Sequence, residues 1–273
     1  MARRLEDAGF DSIWVSDHVV FPAAVESRYP FTPDGRIDWP LDTPWYDAVV
    51  VLSAAAAATR RVELGVAVLV LPLRNPIILA KQAASIDRLS GGRLTLGVGA
   101  GWLAEEFGLL QVPFRERGTR LDEWISLLRA CWTGEAGPYR GRHYQLPDRM
   151  YAYPTPVHPI GILVGGTSRA ALIRAGRQAD GWLGLQRAQD LDLAELRSAV
   201  TTVRQAAASA GRNDGGTGRA VLRLIDSAGA IDQVGASLGR LAEAGITDVI
   251  VDVDWADPDA ARRATERLRM LPA

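Results

Sequence analysis

An acid and a histidine close the first apolar run of the chain, where Gly9-Phe10-Asp11-Ser12-Ile13-Trp14-Val15 leads into Ser16-Asp17-His18. His18 is one of three histidines. An imidazole titrates near neutrality, so it can give or take a proton during a redox step. Asp17 suits either of two jobs: accepting from a ring N–H of a bound heterocycle, or orienting His18. A turn cap beside a satisfied core histidine would use the same two residues. Position weighs against that use, because in parallel α/β proteins chemistry gathers at the C-terminal ends of strands.

Three further stretches have the composition of a binding rim. Gly91-Gly92-Arg93-Leu94-Thr95-Leu96-Gly97-Val98-Gly99-Ala100-Gly101-Trp102 is a buried run ending in alternating glycines. Glycine lets a flat ligand approach the backbone, although the dinucleotide-binding spacing is absent. Glu105 and Glu106 follow and read as the solvated start of a helix. Ile162-Leu163-Val164-Gly165-Gly166-Thr167-Ser168-Arg169 is strand, glycine pair, hydroxyl pair, then helix. The free N–H groups of a helix start bind phosphate well, and Thr167 or Ser168 also serves as an ordinary N-cap. The run Val62–Leu73 reads mostly as core strand; Arg74 and Asn75 stand where it becomes a loop, a place from which they could face a pocket mouth. His143 and His158 lack metal-ligand spacing, so no metal is expected. No nucleophile elbow or P-loop is present.

The elements that must position these residues follow one repeated phrase. Arg4-Leu5-Glu6-Asp7-Ala8-Gly9-Phe10-Asp11-Ser12-Ile13-Trp14-Val15 recurs as Arg240-Leu241-Ala242-Glu243-Ala244-Gly245-Ile246-Thr247-Asp248-Val249-Ile250-Val251. Each is an amphipathic helix, a glycine able to end it in the left-handed region, and an apolar strand. The pattern predicts strands near 12–16, 62–70, 93–98, 160–164, 182–186, 219–225 and 248–253. It predicts helices near 2–8, 46–59, 76–89, 115–133, 168–178, 190–210, 230–244 and 258–269. Such alternation implies a parallel sheet. The long segment Val19–Asp42, rich in proline, aromatic and acidic residues, is expected to be a lid, a pocket wall or disordered. It is followed by Thr43-Pro44 as the expected start signal of the next helix. Gly134–Pro159 is an extended excursion.

Bulk composition narrows the class. The chain has 273 residues, 48% of them hydrophobic, and a formal net charge of -1. There is no electrostatic case for nucleic acid or an anionic membrane. No apolar run approaches the roughly 20 residues of a membrane span. Cys131 is the single cysteine, expected in the core, which fits a cytoplasmic protein.

Taken together, the motifs resemble the bacterial luciferase-like superfamily, in particular its coenzyme F420-dependent oxidoreductases. The resemblance runs in order through Gly9–His18, Arg74-Asn75-Pro76 with Ala80-Lys81-Gln82, Asp87–Arg93, Gly97–Trp102, Val164–Gly166 and Asp180-Gly181-Trp182. It implies an α/β fold, a TIM-type (β/α)8 barrel over 1–273 as a single domain, here lacking its first β-strand. It implies His18 as the proton-handling catalytic group. It assigns Asp17, Ala67, Val68, Gly99, Ala100, Glu105, Gly165, Gly166, Thr167 and Ser168 to the cofactor, with a bulge and a cis peptide near Ala67-Val68. The phosphate falls to Gly165, Gly166 and Ser168. Trp39, Trp45 and Trp102 are expected in the substrate pocket, with Tyr29 and Phe31 in the same wall. The implied reaction moves a hydride between F420 and a small, largely apolar molecule, in a protein that is often a homodimer. FMN-dependent monooxygenases share the fold, so FMN is the alternative cofactor; a non-catalytic or truncated barrel is the third reading. Trp102 stands where the sugar-phosphate branch carries an acid, which argues against a sugar phosphate.

Overall fold

The computed structural model describes residues 1–212 and 218–270. Helix α1 (Ala2–Ala8) leads into β1 (Ser12–Val15), then α2 (Ala48–Ala58), β2 (Glu63–Val70), α3 (Pro76–Ser90), β3 (Leu94–Gly99), α4 (Ala104–Leu109) and α5 (Arg117–Trp132). Four two-residue strands follow: β4 (Glu135–Ala136), β5 (Tyr139–Arg140), β6 (Gln145–Leu146) and β7 (Met150–Tyr151). The chain continues through β8 (Gly161–Gly165), α6 (Arg169–Gln178), β9 (Gly181–Arg187), α7 (Leu193–Ser209), β10 (Arg219–Ile225), α8 (Ile231–Glu243), β11 (Asp248–Val251) and α9 (Ala260–Met270). The seven expected strands form one sheet in the order β1-β2-β3-β8-β9-β10-β11. Its pairings β2–β3, β8–β9, β9–β10 and β10–β11 are parallel. Gly9 and Gly245 sit at φ 96° and 90°, the left-handed turns that the repeated phrase requires.

Two expectations shift. Helix α2 starts at Ala48, because Asp47 caps it by accepting from Val50 N. Thr43 instead spends its hydroxyl on Pro40 O, 2.6 Å away. Helix α4 begins where Glu105 and Glu106 read as a helix start, but it gave no predicted span: six residues with a glycine inside carry too little periodicity to register.

Contacts divide the chain into two compact units. The first comprises Met1–Trp14, Arg61–Glu63 and Gly161–Ala273. There α1 packs on α9, tied by Thr265 Oγ1 donating to Ala8 O at 2.7 Å and Arg269 Nη2 to Gly9 O at 2.8 Å. Arg219, at the start of β10, donates to both carboxylate oxygens of Glu63 (2.6 and 2.7 Å) and to both of Asp248 (3.2 and 2.9 Å). Its guanidinium also lies 5.9 Å from the Trp14 ring centroid. The bonds to Glu63, with those to Asp248, hold Arg219 more firmly protonated than an ordinary arginine. Arg219→Met would leave two carboxylates without their shared partner. It should cost about 2–4 kcal/mol, read as a lowered thermal midpoint; an unchanged midpoint would show the cluster to be incidental.

The second unit comprises Val15–Arg60 and Leu64–Ile160. Its core is the fully buried β3 backed by α3 and α5 through Leu79, Ala83, Ile86, Leu121, Ile125 and Leu128. The excursion after α5 is pinned to that helix by Glu123, whose two oxygens accept from His143 N (2.9 Å) and Tyr144 N (2.7 Å). No helix among the described residues is long and apolar enough to cross a membrane.

Candidate active site

In the second unit, β1 ends at Val15 and the chain turns outward at Asp17-His18. Asp17 is 3% exposed. Its Oδ1 accepts from Arg74 Nη2 at 2.6 Å and its Oδ2 from Val70 N at 3.0 Å. Arg74 carries a second carboxylate, Asp47, on Nη1 at 2.6 Å. Burial pushes the Asp17 carboxyl up; Arg74 and the Val70 N–H only partly offset this. Asp47 lies below the usual carboxylate range, because its bonds to Arg74 and the α2 N-terminus outweigh its burial. Arg74 is fixed in turn by its carbonyl, which accepts from Trp124 Nε1 at 2.8 Å. Asn75 is the N-cap of α3, accepting from Ile77 N and Ile78 N. Residues 74 and 75 therefore set the geometry of the rim.

His18 is oriented by Glu106, not by Asp17. Nδ1 of His18 lies 3.0 Å from Glu106 Oε2. Glu106 Oε1 accepts from Val19 N (2.6 Å) and Val20 N (3.2 Å). A carboxylate only accepts, so Nδ1 carries the hydrogen and Nε2 is the position left for chemistry. Glu106 is 1% exposed, which corrects its reading as a solvated helix residue. Nothing local in Glu105-Glu106 marks which of the two turns inward.

Its neighbour Glu105 is a tether. Glu105 Oε1 accepts from Glu26 N (2.6 Å) and Ser27 N (2.9 Å) in the Val19–Asp42 segment. Burial disfavours its charge, yet the bonds from Ser27 and Glu26 pull its carboxyl down to about 2. Its folded value is depressed, so its stabilisation is present above the ordinary carboxylate pKa near 4.5 and is lost as pH falls towards about 2. Glu105→Ala should free the segment's backbone amides at 26 and 27. Hydrogen exchange there should quicken at pH 7; unchanged protection would show the tether to be dispensable.

The segment itself builds an aromatic wall. His18 lies 4.5 Å from Phe21, 5.2 Å from Trp45 and 6.0 Å from Trp102, centroid to centroid. Tyr29 touches Trp39 (4.9 Å), Trp102 (5.1 Å) and Phe31 (5.4 Å). Trp39 and Trp45 are 6.0 Å apart. Of the three tryptophans expected in the pocket, Trp45 and Trp102 border His18 and Trp39 packs behind on Trp45 and Phe21; Phe21 was not singled out in the sequence.

The β2 strand shows the expected irregularity. Its register against β3 shifts between Val66 and Leu69, and the Ala67-Val68 peptide is cis. A Cβ placed on Gly99, at the end of β3, would lie 2.6 Å from Val68 Cγ2. Only glycine fits beside that side chain. Ala100 follows Gly99, half-buried at the same rim.

In the first unit, Gly165 and Gly166 end β8, and Ser168 caps α6 by accepting from Ala171 N at 3.2 Å. Gly166 has φ 122°, its N–H donates to Leu183 O at 3.2 Å, and its carbonyl accepts from Trp182 Nε1 at 2.8 Å. Thr167, Ser168 and Arg169 are exposed, leaving the helix start open to solvent. A glycine cradle at one strand end and an open helix N-terminus suit a flat heterocycle and a phosphate respectively. The residues present therefore fit the group implied by the resemblance, each in its own unit.

A family model described as luciferase-like monooxygenase matches residues 1–244. The chain belongs to the luciferase-like monooxygenase family. An uncharacterised protein of Mycobacterium tuberculosis is 37% identical over 252 residues, covering 92% of this chain and 83% of its own. An F420-dependent glucose-6-phosphate dehydrogenase of Nakamurella multipartita is 35% identical over 186 residues, 67% of this luciferase-like chain and 50% of that protein. The solved structure of an F420-dependent secondary alcohol dehydrogenase in complex with an F420-acetone adduct superposes with TM-score 0.77 at 18% identity, covering 100% of this chain and 93% of that one. The fold is thus the luciferase-like TIM barrel.

Proposed function

We propose that this chain is an F420-dependent oxidoreductase that moves a hydride between the deazaflavin and a small, largely apolar organic molecule. The observation that carries the reading is the His18–Glu106 pair at the end of β1, set in an aromatic wall. The similarity to F420-dependent relatives supports the choice of cofactor. When bound, F420 supplies the hydride donor or acceptor carbon. Asp17, Ala67, Val68, Gly99 and Ala100 would hold the ring, and Gly165, Gly166, Thr167 and Ser168 would hold the phosphate. His18 Nε2 carries the proton that accompanies hydride movement. Rings of Trp45, Trp102 and Phe21, packed around His18, would exclude water and cover the apolar part of the substrate. Trp102 stands where the sugar-phosphate branch of the resemblance carries an acid, which argues against a sugar phosphate.

A fluorescence titration with F420 and with FMN, paired with a thermal melt, tests the reading. F420 should bind at micromolar concentration or tighter. At a hundredfold excess over Kd it should stabilise the protein by about 2.7 kcal/mol. FMN should bind more weakly. Tight FMN binding, with oxygen consumed in the presence of reduced FMN, would replace this reading with an FMN-dependent monooxygenase, the activity after which the family model is described. A homodimer is part of the same proposal: α2 is apolar around much of its circumference, and Tyr46 and Val50 at its start are 74% and 66% exposed. Val50→Glu should convert a dimer to a monomer in sedimentation.

A further inference from the structure

The seat assigned to the cofactor ring lies where β2 and β3 lean on each other. A Cβ placed on Gly99 would lie 2.6 Å from Val68 Cγ2, and one on Gly101 would lie 2.7 Å from Val70 Cγ1. Past the shift in register, Leu69 and Val70 pair with Val98 and Gly99. The path of residues 67–70 therefore shapes the surface against which a flat ring would rest. Such a surface serves a ligand only when its supports hold it to within about 0.5 Å.

The supports are three charged side chains behind the seat. Strand β1 ends at Val15, and Asp17 Oδ2 accepts from Val70 N at 3.0 Å as a side-chain rung beyond it. Asp17 Oδ1 accepts from Arg74 Nη2 at 2.6 Å, across the 3-10 turn Leu71–Leu73. One carboxylate thus grips both ends of that turn. Arg74 is held in its own place by Asp47 Oδ2 on Nη1 and by Trp124, which donates to its carbonyl. Asp47 spends Oδ1 on Val50 N in the first turn of α2. The Asp17 side chain is fully enclosed, so its oxygens are closed to any ligand. It reaches the ring only through the strand it grips.

We propose that Asp17, Arg74 and Asp47 are positioning residues that set the affinity for the cofactor by fixing residues 67–70 against Gly99 and Gly101, without Asp17 touching the ring. This rests on the reading of that rim as the ring seat, and it moves Asp17 from ring contact to buttress. The clamp depends on the shape of the guanidinium. Its two terminal nitrogens point along fixed directions to two carboxylates, whereas a lysine ammonium carries its charge on a single nitrogen and cannot reproduce both directions. Burial disfavours the Asp17 charge, and Arg74 is the main influence opposing it. A loosened Arg74 therefore loosens the hold on Val70.

Calorimetric titration of the intact chain with oxidised and with reduced F420 tests this, beside a thermal melt and amide hydrogen exchange of each variant. Arg74→Lys should raise Kd about tenfold for both forms of the cofactor and leave their ratio within about twofold. Asp47→Asn keeps the cap of α2, since asparagine caps as well as aspartate, and should raise Kd about threefold. In both cofactor-free variants the Val70 amide should exchange faster than in the wild-type chain. Faster exchange at Val70 with unchanged Kd overturns the proposal, because the clamp would then hold the strand without serving the seat. Unchanged exchange at Val70 overturns it too. So does a Kd raised for one redox form alone, because the charges would then act on the ring and not on its position. Should Arg74→Lys fail to fold, Asp47→Asn decides by the same readings. If the wild-type chain binds FMN and not F420, the cofactor assignment falls and the same comparison with FMN decides the clamp. If it binds neither, seat and clamp fall together.

Discussion

His18→Ala should lower turnover by about 10²–10⁴-fold while changing F420 affinity by less than about threefold. The asymmetry follows from the site. Ring and phosphate are assigned to Asp17, the β2 bulge, the end of β3, and the glycines and hydroxyls after β8, and the imidazole bonds to none of them but to Glu106. Removing Nε2 removes a proton carrier but not a binding surface. A steady-state comparison of kcat beside a cofactor titration reads the split directly. Equal losses in kcat and affinity, or none, would deny His18 its role. Glu106→Gln refines the test. The amide can still accept from Val19 N and Val20 N, so the fold at that corner is kept, but the charge behind Nδ1 is gone. The nitrogen that replaces Oε2 is a donor, so Nδ1 must accept and Nε2 must carry the hydrogen; kcat should fall with F420 affinity kept. An unchanged kcat would mean that the tautomer of the ring does not matter to turnover.

The second large effect concerns stability. Arg74→Met should cost about 3–5 kcal/mol, the range for stripping one partner from a buried ion pair. Asp17 has a fully buried side chain and would keep only the Val70 N–H. The defect should depend on pH in a stated direction. Burial already raises the Asp17 carboxyl, against the pull of Arg74; without the guanidinium it rises further. A folded value above the unfolded one favours the native state at low pH, and that advantage is lost as pH rises through the folded value. The variant should therefore lie closer to wild type at pH 4–5 than at pH 8, in denaturant melts run at both. A defect that is constant with pH would show that Asp17 is not the group left stranded.

The sheet was legible because each of its strands is an apolar run bounded by a glycine or a cap. Trp14-Val15 and Ile250-Val251 announce themselves by composition. The dyad Asp17-His18 was legible for the same reason, standing where such a run stops. The partner of His18 was not. Glu106 reaches the imidazole across 88 positions from a six-residue helix whose sequence, Ala104-Glu105-Glu106-Phe107, reads as exposed. Long-range pairing is fixed by tertiary geometry, which the spacing of two acids in a row does not encode. Asp47 escaped notice similarly: it wins the cap of α2 from Thr43 because the same carboxylate also meets Arg74, an attraction visible only once β2 and its following turn are in place. The aromatic segment was recognisable as a wall by composition, whereas the packing of Phe21 against His18 depended on the path of an irregular chain.

Helix α4 carries a consequence for how the wall can move. Its consecutive carboxylates grip one stretch of chain at two points, Glu106 at residues 18–20 and Glu105 at residues 26 and 27. The stretch from Phe21 to Val25 is thereby a short hoop clasped at both feet by adjoining residues. Closing so small a hoop costs little entropy once one foot is fixed. Phe21 cannot swing off the imidazole as a free flap would; one clasp must open first. Access to the histidine and the order of the neighbouring chain are thus governed by the same few ångströms of helix.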